Sequence, residues 1–252
     1  MENKLFISLG NNWEKSYSCL LDSVHHLLVG GATGSGKSIF LHSVFRNLTL
    51  EYTSDELKIA LIDPKSTEFC IYEGNTRIVG EKPIYGGKQA VQYLAELVEE
   101  KTKRYRLIRE GNCRDINEYN ENIPDKKLPK IIVIIDEYAD VVYADKKHST
   151  DYLRQLVTQG HGVGIYMIVA TQCPRQDIIH SSIKANMLGR IAFPVADMAS
   201  SRFILGERGA EKLTRGEFIF KNLTTEETLK DQVSFDVDLR RFMSGHWKDA
   251  TN

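Results

Sequence analysis

Several things are missing from these 252 residues, and each absence removes a class of protein. Neither sign of charge is in excess: 33 Lys and Arg stand against 34 Asp and Glu, a formal net charge of −1. That excludes a generally basic nucleic-acid protein. It leaves open an assembly that holds its cations in a channel and its acids outside. Cysteine pairs are missing too. Cys19, Cys70, Cys113 and Cys173 lie far apart with no C-x-x-C spacing, which argues against a zinc site or a disulfide frame and for a reducing compartment. No apolar run approaches the ~20 residues of a membrane span. The opening MENKLFISLGNNWEKS has no apolar signal-peptide core. Repeats, low-complexity tracts and Pro/Ser-rich linkers are absent as well. The expectation is one cytoplasmic domain with no intrinsic span, either soluble or held at a membrane only by a partner.

What is present is a globular balance, 42% hydrophobic and 27% charged. Leu5 to Leu9 reads as a short strand, and Leu27 to Val29 as a strand running into a Gly-rich loop. Lys37 to about Leu50 reads as a helix, Leu57 to Ile62 as a strand ending in Asp63-Pro64, and Lys88 to Arg109 as the longest helix. In that helix Val91, Leu94, Leu97, Val98, Tyr105 and Ile108 recur at the helical period. Ile131 to Ile135 and Ile165 to Ala170 are unbroken apolar runs, the pattern of parallel strands buried on both faces. Tyr152 to Thr158 reads as helical, and Ile191 to Phe193 and Phe218 to Phe220 as shorter strands. After Lys221 only a peripheral strand near Val233 to Val237 is expected. Alternating strands and helices predict an α/β fold, a mostly parallel sheet with helices on both faces.

The chemistry concentrates at strand ends. Gly31, Ala32, Thr33, Gly34, Ser35, Gly36, Lys37 and Ser38 fit G-x-x-x-x-G-K-[ST] at every fixed position, between an apolar strand and an amphipathic helix. Backbone N–H groups there can curl around phosphate oxygens, the helix adds its positive dipole end, Lys37 reaches the outer phosphates of ATP, and the Ser38 hydroxyl serves Mg2+. Ile131 to Ile135 runs into Asp136-Glu137, which predicts that Asp136 holds Mg2+ through water and Glu137 polarises the attacking water. The next carboxylate, Asp140, reads as structural. Ile165 to Ala170 ends in Thr171-Gln172, a hydroxyl and an amide able to report on the γ-phosphate.

With these residues assembled, the chain resembles the motor domain of the FtsK/SpoIIIE DNA translocases, within the wider FtsK–HerA group. The resemblance is carried, in family order, by HLLVGGATGSGKS (26–38), LIDPKSTEF (61–69), EEKTKRYRLI (99–108), IIDEYAD (134–140), GVGIYMIVATQ (162–172), IKANMLGRIAF (183–193) and SRFILGERGAEKL (201–213). It implies a RecA-like P-loop core over 24–220, with a lead-in over 1–23 and an extension over 221–252. It implies an ATPase that moves double-stranded DNA through a homo-hexameric ring, with ATP sites at subunit boundaries. By position Lys37, Ser38, Asp136, Glu137 and Gln172 take the nucleotide roles, and Lys65 of Asp-Pro-Lys matches a further motif. Family members carry an arginine, a trans-acting finger, in the segment before the Gly-Ile strand. Here that segment reads QGHGVG (159–164) with His161 in the place, so either His161 is protonated near phosphate, or hydrolysis is slow, or another arginine serves: Arg154, Arg190 or Arg202, with Arg190 and Arg202 favoured because they lie in family-like stretches. Cys173 stands where many relatives have arginine. The resemblance covers no membrane anchor, long linker or winged-helix reader, so a stripped motor of a phage, plasmid or other mobile element, with a membrane or mobile-element partner protein, is the expectation. Lys146-Lys147-His148 and Arg175 to Lys184 are expected on inward-facing loops as phosphate contacts to DNA. The Lys101, Lys103, Arg104, Arg106 cluster, interleaved with acids, is expected to be a solvated face or subunit contact. Two other readings stand beside the motor: a related ATPase that exports protein, and an ATP-dependent assembly switch.

Overall fold

The computed structural model describes residues 4–12, 15–233 and 237–245. In chain order its elements are β1 (Phe6–Asn12), β2 (Lys15–Leu20), α1 (Leu21–Val24), β3 (Leu27–Gly30), α2 (Lys37–Glu51), β4 (Leu57–Asp63), β5 (Ile84–Tyr85), α3 (Gly87–Glu110), α4 (Ile116–Asn122), β6 (Lys130–Ile135), α5 (Tyr138–Ala144), α6 (Lys146–Gln159), β7 (Ile165–Thr171), α7 (Ser181–Lys184), β8 (Gly189–Ala192), α8 (Met198–Leu205), β9 (Glu217–Asn222), β10 (Glu227–Gln232) and α9 (Val237–Met243). β1 and β2 form an antiparallel ribbon, and the other eight strands form one sheet in the order β10-β9-β8-β3-β7-β6-β4-β5. From β8 to β5 every pairing is parallel, while β9 and β10 add an antiparallel edge.

The sheet is parallel at its centre because its strands have no polar face. Every residue of β6 is buried, and the two-residue period of the strand divides them between two cores. Ile132 and Ile134 join Phe40, Val44 and Phe45 of α2 on one face. Val133 and Ile135 join Leu94 and Leu97 of α3 and Leu153 and Leu156 of α6 on the other. Fully burying each such side chain contributes about 1.5–3 kcal/mol relative to exposure, so covering both faces is what keeps this run a strand. The fold class read from the sequence is the one observed. No helix among the described residues is long and apolar enough to cross a membrane.

Two local expectations need correction. The helix expected from Tyr152 begins at Lys146, because the Asp145 carboxylate caps it by accepting from the His148 backbone N–H at 3.1 Å. The strand expected near Val233 to Val237 is instead β10, paired with β9 and ending at Gln232. Val233 lies beyond β10, residues 234–236 fall outside the described residues, and Val237 opens α9.

Parallel register brings four strand ends together. Ile62 of β4 pairs with Ile135 of β6, Ile135 with Val169 of β7, and Gly30 of β3 with Thr171 of β7. The carboxyl ends of β4, β6, β7 and β3 therefore open on one crevice, the place where open α/β sheets bind ligands.

Candidate phosphate-binding site

The loop between β3 and α2 is shaped by backbone that only small residues allow. Gly36 caps α2 at φ 114°, and a Cβ there would come within 3.1 Å of the Gly216 Cα. A Cβ on Gly31 would come within 2.7 Å of both Ser35 Oγ and Phe193 Cβ. The loop is also held from outside: Ala32 N–H donates to the Pro194 carbonyl at 2.8 Å, and Gly216 N–H to the Ser35 carbonyl at 2.8 Å. A cleft of ≈ 240 Å³ results, lined by Ala32, Thr33, Gly34, Gly36, Lys37, Ser38, Ile39, Glu68, Gln172 and Arg215. The unpaired N–H groups of the first turn of α2 and its dipole face this loop, which suits an anion.

Lys37 is almost fully buried, and its Nζ donates to the Asp136 carbonyl at 3.1 Å and to Asp136 Oδ1 at 3.2 Å. Burial pushes the Asp136 carboxyl above its ordinary pKa, and the Lys37 charge opposes that rise. Glu137 points across to β7. Its Oε1 accepts from the Thr171 hydroxyl at 2.6 Å and from Ala139 N–H at 3.1 Å, and its Oε2 accepts from Gln172 N–H at 2.7 Å. Gln172 in turn accepts from the Thr33 hydroxyl at 2.7 Å. Lys37, Asp136, Glu137, Thr171, Gln172 and the phosphate loop, far apart in the chain, thus form one connected site.

Ser38 is half-buried in the cleft beside Glu68, a residue the sequence reading passed over. The donors here suit a hard cation: the Ser38 hydroxyl and the carboxylates of Asp136 and Glu68 are all oxygens. Among the described residues no group of three or more His, Cys, Asp or Glu could hold a metal ion alone. Magnesium therefore fits only if phosphate oxygens complete its shell. Arg215 was also missed. The Gly216–Ser35 hydrogen bond places its turn against the loop, and the only signal in the sequence is the Arg-Gly pair of a tight turn.

The remaining candidates divide. Lys65 pairs with Asp140 at 3.2 Å just outside the site. Arg190 is buried, and its Nε, Nη1 and Nη2 donate to the carbonyls of Met187, Ile204 and Lys184 at 3.1, 3.0 and 2.8 Å. With all three guanidinium nitrogens engaged inside its own chain, Arg190 does not fit the trans-acting place expected of it. Arg202 is exposed on α8, and Arg154 pairs with Asp151 on α6 at 3.3 Å. His161 opens a short turn before β7, at the opposite end of the sheet from the phosphate loop, stacked on His25 with ring centroids 3.8 Å apart. Lys146, Lys147 and His148 are exposed in the first turn of α6 and not on a loop. In the Arg175 to Lys184 segment, Arg175 contacts Asp177 and exposed Tyr143, while Lys184 turns inward to the Phe203 carbonyl at 3.1 Å. Arg104 is buried between Glu100 and the carbonyls of Pro129 and Val163, so it is neither a solvated face nor a subunit contact. The four cysteines, Cys173 included, are free.

The model of the FtsK/SpoIIIE family matches residues 2–176. The chain belongs to this family. It is 40% identical over 203 residues to the DNA translocase FtsK of Treponema pallidum, covering 78% of this chain and 25% of that protein. It is 36% identical over 220 residues to FtsK of Leptospira interrogans (84% of this chain, 23% of that protein). With the DNA translocase SpoIIIE of Bacillus subtilis it shares 35% identity over 243 residues (92% and 31%). The chain thus spans between 23% and 31% of the length of these curated relatives. Among solved structures it is similar to the pCW3 conjugation coupling protein TcpA, a monomer form with ATPγS, with TM-score 0.80 and 27% identity over 100% of this chain and 71% of that one. The cytoplasmic domain of the type VII secretion ATPase EccC of Thermomonospora curvata shares the fold, with TM-score 0.74 and 18% identity over 92% of this chain and 29% of that one.

Proposed function

We propose that this FtsK/SpoIIIE family chain is an ATP-driven motor that moves double-stranded DNA through a ring of its own copies. The observation that carries the reading is the connection of the phosphate loop to two strand ends, Lys37 to Asp136 and Thr33 through Gln172 to Glu137, in one small cleft. A group that binds phosphate is there tied to groups that can sense its loss.

ATP would lay its phosphates along Gly31 to Ser38, with Lys37 and Arg215 supplying positive charge. Ser38 and Asp136 are the residues that would hold magnesium, which would supply charge neutralisation at the phosphates when bound. Glu137 acts as the base that orients the attacking water. Gln172, sharing hydrogen bonds with the loop and with Glu137, registers whether the γ-phosphate is present. The neighbouring subunit of a hexamer faces the cleft with the other end of its sheet, where His161 lies, or with exposed Arg202. Exposed Lys146, Lys147 and Arg175 supply DNA phosphate contacts that need no base readout. The family-like stretches and the relatives' common name favour DNA as the cargo.

ATP turnover measured with and without duplex DNA at two salt concentrations tests this. Turnover should rise with DNA, and the rise should fade as salt increases, since phosphate contacts release counterions. Lys37→Ala should remove turnover under all conditions. Turnover indifferent to DNA would sink the DNA motor and return the export ATPase and the assembly switch to the front.

A further inference from the structure

A chain of polar contacts leads from the core to Glu68 in the cleft through Tyr72 and His42, which have no role so far. Tyr72 is fully buried, and its hydroxyl lies 2.7 Å from Nδ1 of buried His42. On the far side of that ring, His42 Nε2 lies 3.5 Å from Glu68 Oε2. Burial pushes the Tyr72 phenol far above its ordinary pKa, so the hydroxyl keeps its proton and is able to donate to Nδ1. A neutral imidazole that accepts at Nδ1 carries its hydrogen on Nε2, the nitrogen that faces Glu68. Glu68 lines the cleft together with Lys37 and Ser38, so the His42 ring backs a carboxylate that faces the phosphate loop. The backbone is fixed as well. Asp63, fully buried at the end of β4, accepts from Glu68 N–H and Phe69 N–H, each at 2.9 Å, through Oδ2. Half-exposed glutamates are ordinarily left to rotate in solvent. Glu68 is oriented from its backbone and its side chain together, beside the phosphate-loop serine.

We propose that Glu68 is a magnesium-positioning carboxylate, a second one besides Asp136, which accepts from the water shell of the metal–nucleotide complex while Tyr72 and His42 fix its orientation. This rests on the nucleotide reading above and gives the Asp-Pro-Lys turn a purpose: it carries Glu68 to the cleft. Outer-shell partners of this kind are worth about 10- to 100-fold in metal affinity.

Calorimetric titration of the full chain with ATPγS, once with magnesium and once with EDTA, is the test. The quantity read is the ratio of the two affinities. Glu68→Gln, isosteric and half-exposed, should lower that ratio by about 10-fold or more and leave the EDTA affinity in place. His42→Phe should lower it in the same direction, and His42→Gln, which keeps a donor toward Glu68, should restore most of it. A Glu68→Gln chain with the wild-type ratio overturns the proposal, as does equal weakening in both buffers, which marks a merely structural role. Wild-type chain that binds nucleotide in neither buffer removes the nucleotide reading itself.

Discussion

At the end of β6 the Glu137 carboxylate accepts hydrogen bonds from Thr171, Ala139 and Gln172. These donors take most of the roughly four acceptor sites of a carboxylate, and releasing one of them makes room for the attacking water. The Thr171 hydroxyl is the one that can turn away without moving the backbone. In Glu137→Gln the side-chain amide nitrogen can only donate, so at least one of these donors loses its acceptor, the base is lost and the connection to β7 weakens. ATP binding, set by Lys37 and the loop, should persist while single-turnover hydrolysis falls by about 10²- to 10⁴-fold. Unchanged hydrolysis in that variant removes Glu137 as the base. Lys37 shows the same economy of contacts: its ammonium is paired with Asp136, so phosphate binding exchanges one partner for another.

Among the elements, β3 and β7 are joined by side chain as well as ladder. Buried His26, just before β3, accepts from Met167 N–H of β7 at 3.0 Å through Nδ1. Burial, with smaller contributions from His161 and His25, pushes its pKa down from 6.5 to about 3. Between those values the unfolded chain holds a proton on this ring that the folded chain does not. Stability therefore rises with pH across the window and is lost as pH falls below 6.5. Urea midpoints at pH 7, 6 and 5 should show the loss, up to about 1.4 kcal/mol per pH unit from this group. His26→Asn, whose Oδ1 can accept from Met167, should flatten the slope, and an unchanged slope would assign the acid sensitivity elsewhere. Elements of this kind, buried strands and the helices that cover them, were legible because burial on both faces writes an unbroken apolar run. Others were not. β10 (ETLKDQ) has no buried residue, so its sequence carries no strand alternation to read. α5 follows Glu137 with no spacer because Glu137 caps it, a role that its catalytic assignment concealed. In the site, the phosphate loop and Asp136-Glu137 were legible because each is contiguous. Glu68 and Arg215 come from turns whose direction is set by hydrogen bonds, one to buried Asp63 five residues earlier and one to Ser35 across the fold, and no motif spacing announces either.

For the whole molecule, the two ends of the sheet have different characters. The carboxyl ends of its strands hold the cleft, and the other end carries His25 stacked on His161, both kept below the ordinary histidine pKa chiefly by burial. If copies assemble head to end, a neutral imidazole then faces the neighbour's phosphates where the family resemblance implies a guanidinium. His161→Arg should speed DNA-stimulated turnover by on the order of 10-fold, short of the ~10³-fold or more of an optimised finger. A slower enzyme would refute the placement. The antiparallel edge of the sheet has its own consequence. Gly216, which opens the β9–β10 hairpin, donates to the Ser35 carbonyl of the phosphate loop and accepts from Val233 N–H, which follows β10, both at 2.8 Å. One glycine is thus the fulcrum between the outermost strand and the nucleotide cradle. In the motor proposed above, a tug on the rim of the subunit, whether from an adjoining copy or from the cargo, would reach the loop as a change of shape, and the rim would be the handle through which load sets the pace of the chemistry.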